Sequence, residues 1–217
     1  CRPKETCKLK DGKAKCVPSL VSTCWAWGDP HYHTFDGLDF DFQGTCTYTL
    51  AQSCGEDGTL VPFTVEAKND IRGGVKSVSY VSLANIRVYG HNISIHRREV
   101  GKVRVNGVVT LLPVTLEEGK VEIFQSGRGA VLETDFGLRV KYDWVWHLFL
   151  DLPSSYYNHT CGLCGNYNLN PQDDGPQSEG DAAAVAAWAK EWKVLDEDDP
   201  FCWDYCQGVC PVCEEEE

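Results

Sequence analysis

The stretch Asn85-Ile-Arg-Val-Tyr89-Gly-His-Asn92-Ile-Ser-Ile-His96-Arg-Arg-Glu-Val-Gly-Lys102-Val-Arg-Val-Asn106-Gly107 reads as three successive strands. Ile86 and Val88, Ile93 and Ile95, and Val103 and Val105 stand at alternate positions, with polar residues between them. A period of two sends one set of side chains to each face, so each run buries one face and wets the other. Asn106-Gly107 favours a two-residue hairpin turn, because both of its positions take positive φ.

The same alternation continues outward over residues 38–152. It is present in Asp39-Phe40-Asp41-Phe42, Cys46–Leu50, Phe63–Ala67, Lys120–Phe124, Ala130–Thr134, Leu138–Tyr142 and Trp144–Leu150. Runs recurring about every 10 residues predict an antiparallel β-sandwich, mostly β in class. One short C-terminal helix is predicted, with Asp181 as N-cap of Ala182–Trp192. Val185, Trp188 and Trp192 make one apolar stripe on it, expected to pack on the sandwich.

The chain has 217 residues, 12 cysteines and a net charge of −12. So many cysteines point to an oxidising, secreted setting and a disulfide-rich fold. The sequons Asn92-Ile-Ser94 and Asn158-His-Thr160 agree, with Asn92 and Asn158 as candidate glycosylation sites. The acidic balance excludes nucleic acid and anionic membrane surfaces as partners. No apolar run approaches the roughly 20 residues of a membrane helix. The chain opens at Cys1-Arg-Pro-Lys, inside a cysteine-rich pattern and without a signal peptide, so a segment of a longer secreted protein is expected. Residues 1–23 hold too few apolar residues for a core and need bridges. They read as the end of a cysteine-rich module, with a hairpin turning at Asp11-Gly12 and a local Cys7–Cys16 bridge. The terminal Glu214–Glu217 run reads as a solvated linker.

Three motifs carry chemistry. In Gly28-Asp29-Pro30-His31, the Asp29 carboxylate can close a five-membered ring on its own carbonyl carbon, with Pro30 leaving as a secondary amine. A proton donor is needed, and His31 and His33 are near. The plainer alternative is a tight turn. In Asn166-Tyr-Asn168-Leu-Asn170-Pro-Gln-Asp173-Asp174, oxygen-bearing residues alternate as they do in the first half of an EF-hand loop. The alternative there is a loop that caps its own backbone. Cys161-x-x-Cys164 and the cluster Cys202, Cys206, Cys210 and Cys213 would suggest zinc in the cytosol, but in this compartment they read as disulfides. His91, His96, His147 and His159 read as ordinary residues, and no nucleophile motif accompanies them.

Gly28-Asp-Pro-His-Tyr-x-Thr-Phe-Asp-Gly37, Phe42-Gln-Gly-Thr-Cys-x-Tyr48 and Cys161-Gly-Leu-Cys-Gly-Asn-Tyr-Asn168 together resemble a von Willebrand factor type D domain. The resemblance spans residues 24–203, leaving 204–217 as a cysteine-containing linker or the start of a further module of the C8 type. It implies cleavage between Asp29 and Pro30, favoured by acid. It also implies Ca²⁺ held by Asp36, Asn166, Asn168, Asp173 and Asp174, with Asn170 binding by its carbonyl. The disulfides it implies are Cys24–Cys164, Cys46–Cys202 and Cys54–Cys161. The expected function is a structural and interaction module of a large secreted glycoprotein of mucus or extracellular matrix. Its partners would be other modules of the same glycoprotein, mucins or other mucus proteins, with no small-molecule substrate. The self-cleavage is a single turnover, so the chain is not expected to be an enzyme. The alternative is a cell-adhesion module of the zonadhesin kind.

Overall fold

The computed structural model describes residues 1–55, 58–71, 78–176, 181–195 and 199–204. In chain order the strands are β1 (Glu5–Lys10), β2 (Lys13–Pro18), β3 (Val21–Trp27), β4 (His31–His33), β5 (Asp39–Asp41) and β6 (Thr47–Ser53). They continue with β7 (Phe63–Ile71), β8 (Ser79–Val88), β9 (His91–His96), β10 (Lys102–Val105), β11 (Val108–Leu111) and β12 (Val114–Leu116). The last are β13 (Val121–Ser126), β14 (Gly129–Thr134), β15 (Arg139–Tyr142), β16 (Leu148–Pro153), β17 (Thr160–Cys161) and β18 (Lys193–Val194), with helix α1 (Ala182–Ala189) before β18.

Two eight-stranded antiparallel sheets face each other. One runs β11-β10-β9-β8-β7-β6-β17, with β18 also on β6; the other runs β12-β13-β14-β15-β16-β3-β4-β5. The alternation read from the sequence sets their inner faces: Ile86, Val88, Ile93, Ile95 and Val103 are buried, while Arg87 and Asn92 face solvent. Such burial is the main favourable term in folding. Two buried polar contacts tie the layers. Tyr142 Oη donates to the Val81 carbonyl at 2.8 Å, and Asn69 Nδ2 donates to Tyr32 Oη at 2.9 Å. Both predicted hairpin turns form with positive φ at each position: Asp11 and Gly12 between β1 and β2, and Asn106 and Gly107 between β10 and β11.

Three expectations need correction. The predicted strand Trp144–Leu150 begins only at Leu148. Asp143 Oδ1 accepts the backbone N–H groups of Val145, Trp146 and His147, which folds residues 143–147 into a capped turn with Trp144 at φ 59°. The helix stops at Ala189, passes through a 3-10 turn at Lys190–Trp192, and the chain returns to β6 as β18. Its cap is as predicted: the Asp181 carboxylate accepts from Ala183 and Ala184. Trp188 packs edge-on against Phe40 at 5.2 Å, so the apolar stripe serves packing. The third correction is the bridge in residues 1–23. Cys7 and Cys16 face each other across β1 and β2, but the disulfide joins Cys1 to Cys16. A turn in which Glu5 N–H meets the Arg2 carbonyl and Arg2 N–H meets the Glu5 carboxylate brings Cys1 Cα to 5.2 Å from that of Cys16. Cys7 is exposed and unbridged among the described residues, and Cys206, Cys210 and Cys213 lie outside them. No described helix is long and apolar enough to cross a membrane.

Candidate functional site

The Asp29–Pro30 bond lies in a hairpin loop of three residues. Trp27 pairs with His31 across β3 and β4, so Gly28, Asp29 and Pro30 alone make the connection. Gly28 takes φ 69°, a conformation favoured by glycine. The Pro30 carbonyl accepts the Phe42 N–H at 3.3 Å, anchoring the far side of the bond to the chain just past β5. The proline is buried while its flanking His31 is exposed.

Two cross-strand rungs cover the solvent face beside this loop. In the first, Trp27, His31 and Asp41 lie side by side on β3, β4 and β5. His31 Nδ1 is 2.5 Å from Asp41 Oδ1, and the His31 ring is 6.2 Å from the Trp27 indole. His147 also stacks on Trp27 at 5.6 Å, with its own Nδ1 2.5 Å from Asp143 Oδ2. In the second, Trp25 stacks on His33 at 5.1 Å, and His33 Nδ1 is 2.6 Å from Asp39 Oδ1.

The oxygen-rich loop meets the turn that follows β4. Phe35 N–H donates to the Cys164 carbonyl at 2.9 Å and the Phe35 ring stacks on Tyr167 at 5.3 Å. This holds the tight turn Thr34–Gly37 against residues 164–174 and presents Asp36 to them. Asp36 Oδ2 and Oδ1 accept from the backbone N–H of Asn168 and Leu169 at 2.9 and 2.8 Å. Asp174 is 2% exposed; its carboxylate accepts from Asn166 N–H at 3.1 Å and from the Thr34 hydroxyl at 2.5 Å. Carboxylate oxygens of Asp36, Asp173 and Asp174 lie within 4.8 Å of one another. Burial, and then the charges of Asp36 and Asp173, push the Asp174 carboxyl up to about 6.

The six predicted ligands therefore divide. Asp36, Asp173 and Asp174 converge, whereas the expected side-chain ligands Asn166 and Asn168 turn their Oδ1 atoms to the backbone N–H groups of Asn168 and Asn170; Asn170, expected to bind by its carbonyl, turns its Oδ1 to the Gln172 N–H. Asn168 Nδ2 also donates to Asp173 Oδ2 at 2.7 Å. Tyr167 and Leu169 have φ near 58° and 68°, uncommon for such residues. The donor set is all oxygen and triply anionic, which fits a hard cation such as Ca²⁺.

Sequence reading missed several supports. A Cβ on Gly165, where φ is 81°, would stand 2.0 Å from Asp174 Oδ1, and one on Gly162 would stand 2.4 Å from the Leu50 carbonyl oxygen. Thr34 was missed too. The paired glycines of Cys161-Gly-Leu-Cys-Gly165 were the available signal. Disulfides join Cys24 to Cys164, Cys46 to Cys202 and Cys54 to Cys161, the pairs the resemblance implies. Asn92 and Asn158 are both exposed, on β9 and in a turn.

A family profile for the von Willebrand factor type D domain matches residues 24–181, and the chain belongs to that family. It is 50% identical over 209 residues to the human (Homo sapiens) IgGFc-binding protein, covering 94% of this chain and 4% of that protein. It is 46% identical over 215 residues to mouse (Mus musculus) alpha-tectorin, covering 99% and 10%. Mouse zonadhesin is 39% identical over 207 residues, covering 94% and 4%. The chain thus spans at most a tenth of these relatives.

Proposed function

We propose that this chain is a structural and interaction module of a large secreted glycoprotein of mucus or extracellular matrix. In this reading it is stabilised by Ca²⁺ and cleaves itself between Asp29 and Pro30, and a disulfide keeps its halves together. The observation that carries the reading is the position of the Cys24–Cys164 bridge. It joins the segment before the scissile bond to the core behind it, so scission makes a two-chain module and releases nothing. The family relationship to IgGFc-binding protein, alpha-tectorin and zonadhesin supports the setting.

In the cleavage step the Asp29 carboxylate adds to its own carbonyl carbon and closes a cyclic anhydride. The C–N bond to Pro30 breaks as the nitrogen takes a proton from the His31 imidazolium. Water then opens the anhydride, leaving Asp29 with two carboxyl groups and Pro30 as a new amino terminus. Asp36, Asp173 and Asp174 would hold Ca²⁺, which would neutralise their mutual repulsion and tie the start of the domain to residues 166–174. Partners are other modules of the same glycoprotein, mucins or other mucus proteins, and the glycosylated surfaces are those around Asn92 and Asn158.

Intact mass under reducing and non-reducing conditions tests the reading. The expected result is one mass without reductant, and two pieces ending at Asp29 and beginning at Pro30 with it. A single uncleaved mass in both, after incubation at acid pH, overturns the cleavage.

A further inference from the structure

His31 stands beside the scissile loop, and something must decide which of its two ring nitrogens faces that loop. Asp41 lies directly across from it in the β4–β5 register, and its Oδ1 is 2.5 Å from Nδ1. The Cδ2 corner of the imidazole lies against the loop: a Cβ placed on Gly28 would stand 3.8 Å from it. Trp27 flanks the ring on the β3 side. With Nδ1 taken by Asp41 and Cδ2, the atom bonded to Nε2, against the loop, Nε2 is the ring nitrogen left to serve the scissile bond. A carboxylate on one ring nitrogen fixes which nitrogen keeps its proton.

We propose that Asp41 is the positioning residue for self-cleavage. It keeps the Nδ1–H of His31 in a hydrogen bond, so the proton delivered to the Pro30 nitrogen comes from Nε2. The ring starts as the imidazolium, loses the Nε2 proton as the C–N bond breaks, and remains as the neutral Nδ1–H tautomer on Asp41. Solvent restores the proton, since the His31 side chain is half exposed. Asp41 stays a carboxylate throughout. This inference rests on the cleavage reading above.

The neighbouring rung supplies an internal control. His33 and Asp39 repeat the contact at 2.6 Å, on the same strands and with Asp39 equally exposed, but two residues further from the loop. Asp41→Ala should slow cleavage at acid pH by tenfold or more, measured as the fraction split under reducing conditions. Asp39→Ala should stay within twofold of wild type, and Asp41→Asn, whose Oδ1 can still accept, should recover part of the rate. A purely structural role is separated by ¹⁵N spectra of the His31 ring in a Pro30→Ala background. There the Nδ1–H tautomer should dominate with Asp41 and be lost in Asp41→Ala, while His33 is unchanged. If wild type cleaves and Asp41→Ala keeps pace, or Asp39→Ala slows it equally, the assignment to Asp41 is wrong. A wild type that never cleaves overturns the cleavage reading and this inference with it.

Discussion

Asp174 should make the metal-free domain weaker as pH rises, and Ca²⁺ should reverse this. Its carboxyl is buried beside Asp36 and Asp173, and in the fold it is pushed from an ordinary 3.8 up to about 6. A folded-state value above the unfolded one means that the folded form holds the proton more tightly. The stability from protonated Asp174 is then fully present below 3.8 and lost as pH rises through about 6. At about 1.36 kcal/mol per pH unit, the displacement is worth about 3 kcal/mol. For a domain of this size that is about 6–12 °C in melting temperature. The experiment compares Pro30→Ala, which keeps scission out of the measurement, with Pro30→Ala/Asp174→Asn, by thermal unfolding in metal-free buffers from pH 4 to 7.5. The first protein should lose most of its increment relative to the second across that range. Ca²⁺ at pH 7.5, at a hundredfold above its dissociation constant, should return about 2.7 kcal/mol to the first protein and far less to the second. A difference between the two that stays flat with pH, or an equal response to Ca²⁺, would refute the reasoning.

Asp29→Asn and Pro30→Ala should abolish cleavage, seen by reducing gel, while leaving the melting temperature in Ca²⁺ within a few degrees. Cys24→Ser/Cys164→Ser should let the processed pieces separate on a denaturing column without reductant, and retention there would place the tether elsewhere. Gly165→Ala should destabilise the domain by about 2 kcal/mol or more and erase its calorimetric Ca²⁺ response, because a left-handed backbone and an overlap with Asp174 act together.

The sandwich was legible where one face is dry and the other wet. In residues 85–105 the alternation sets the register directly, and the Asn-Gly and Asp-Gly turns confirm their positive φ. It failed at Trp144–His147, where an apolar run looks like a strand but the Asp143 carboxylate captures three backbone N–H groups. β3 lies outside residues 38–152, where the alternation was read, although it sits inside its sheet between β16 and β4. At the site, oxygen-bearing residues could be counted from the sequence, but a count does not say which oxygens face a cation and which cap the chain. Asp39 and Asp41 looked like the wet side of a strand; their pairing with His33 and His31 arises only from the β4–β5 register. The Cys1–Cys16 bridge was out of reach for a related reason, since it depends on a local turn at Arg2–Glu5 and not on cysteine spacing.

The three disulfides of the sandwich also define a route for tension. A pull that enters at Cys24 crosses to Cys164, runs three residues back to Cys161, and crosses to Cys54. It then runs eight residues back to Cys46 and crosses to Cys202. Between those two points the backbone can straighten by at most about 40 Å, at roughly 3.5 Å per residue. The Asp29–Pro30 bond is not on that route. Cutting it leaves the module as inextensible as before, so a fibre built from such units would carry the same load whether or not its links had been nicked.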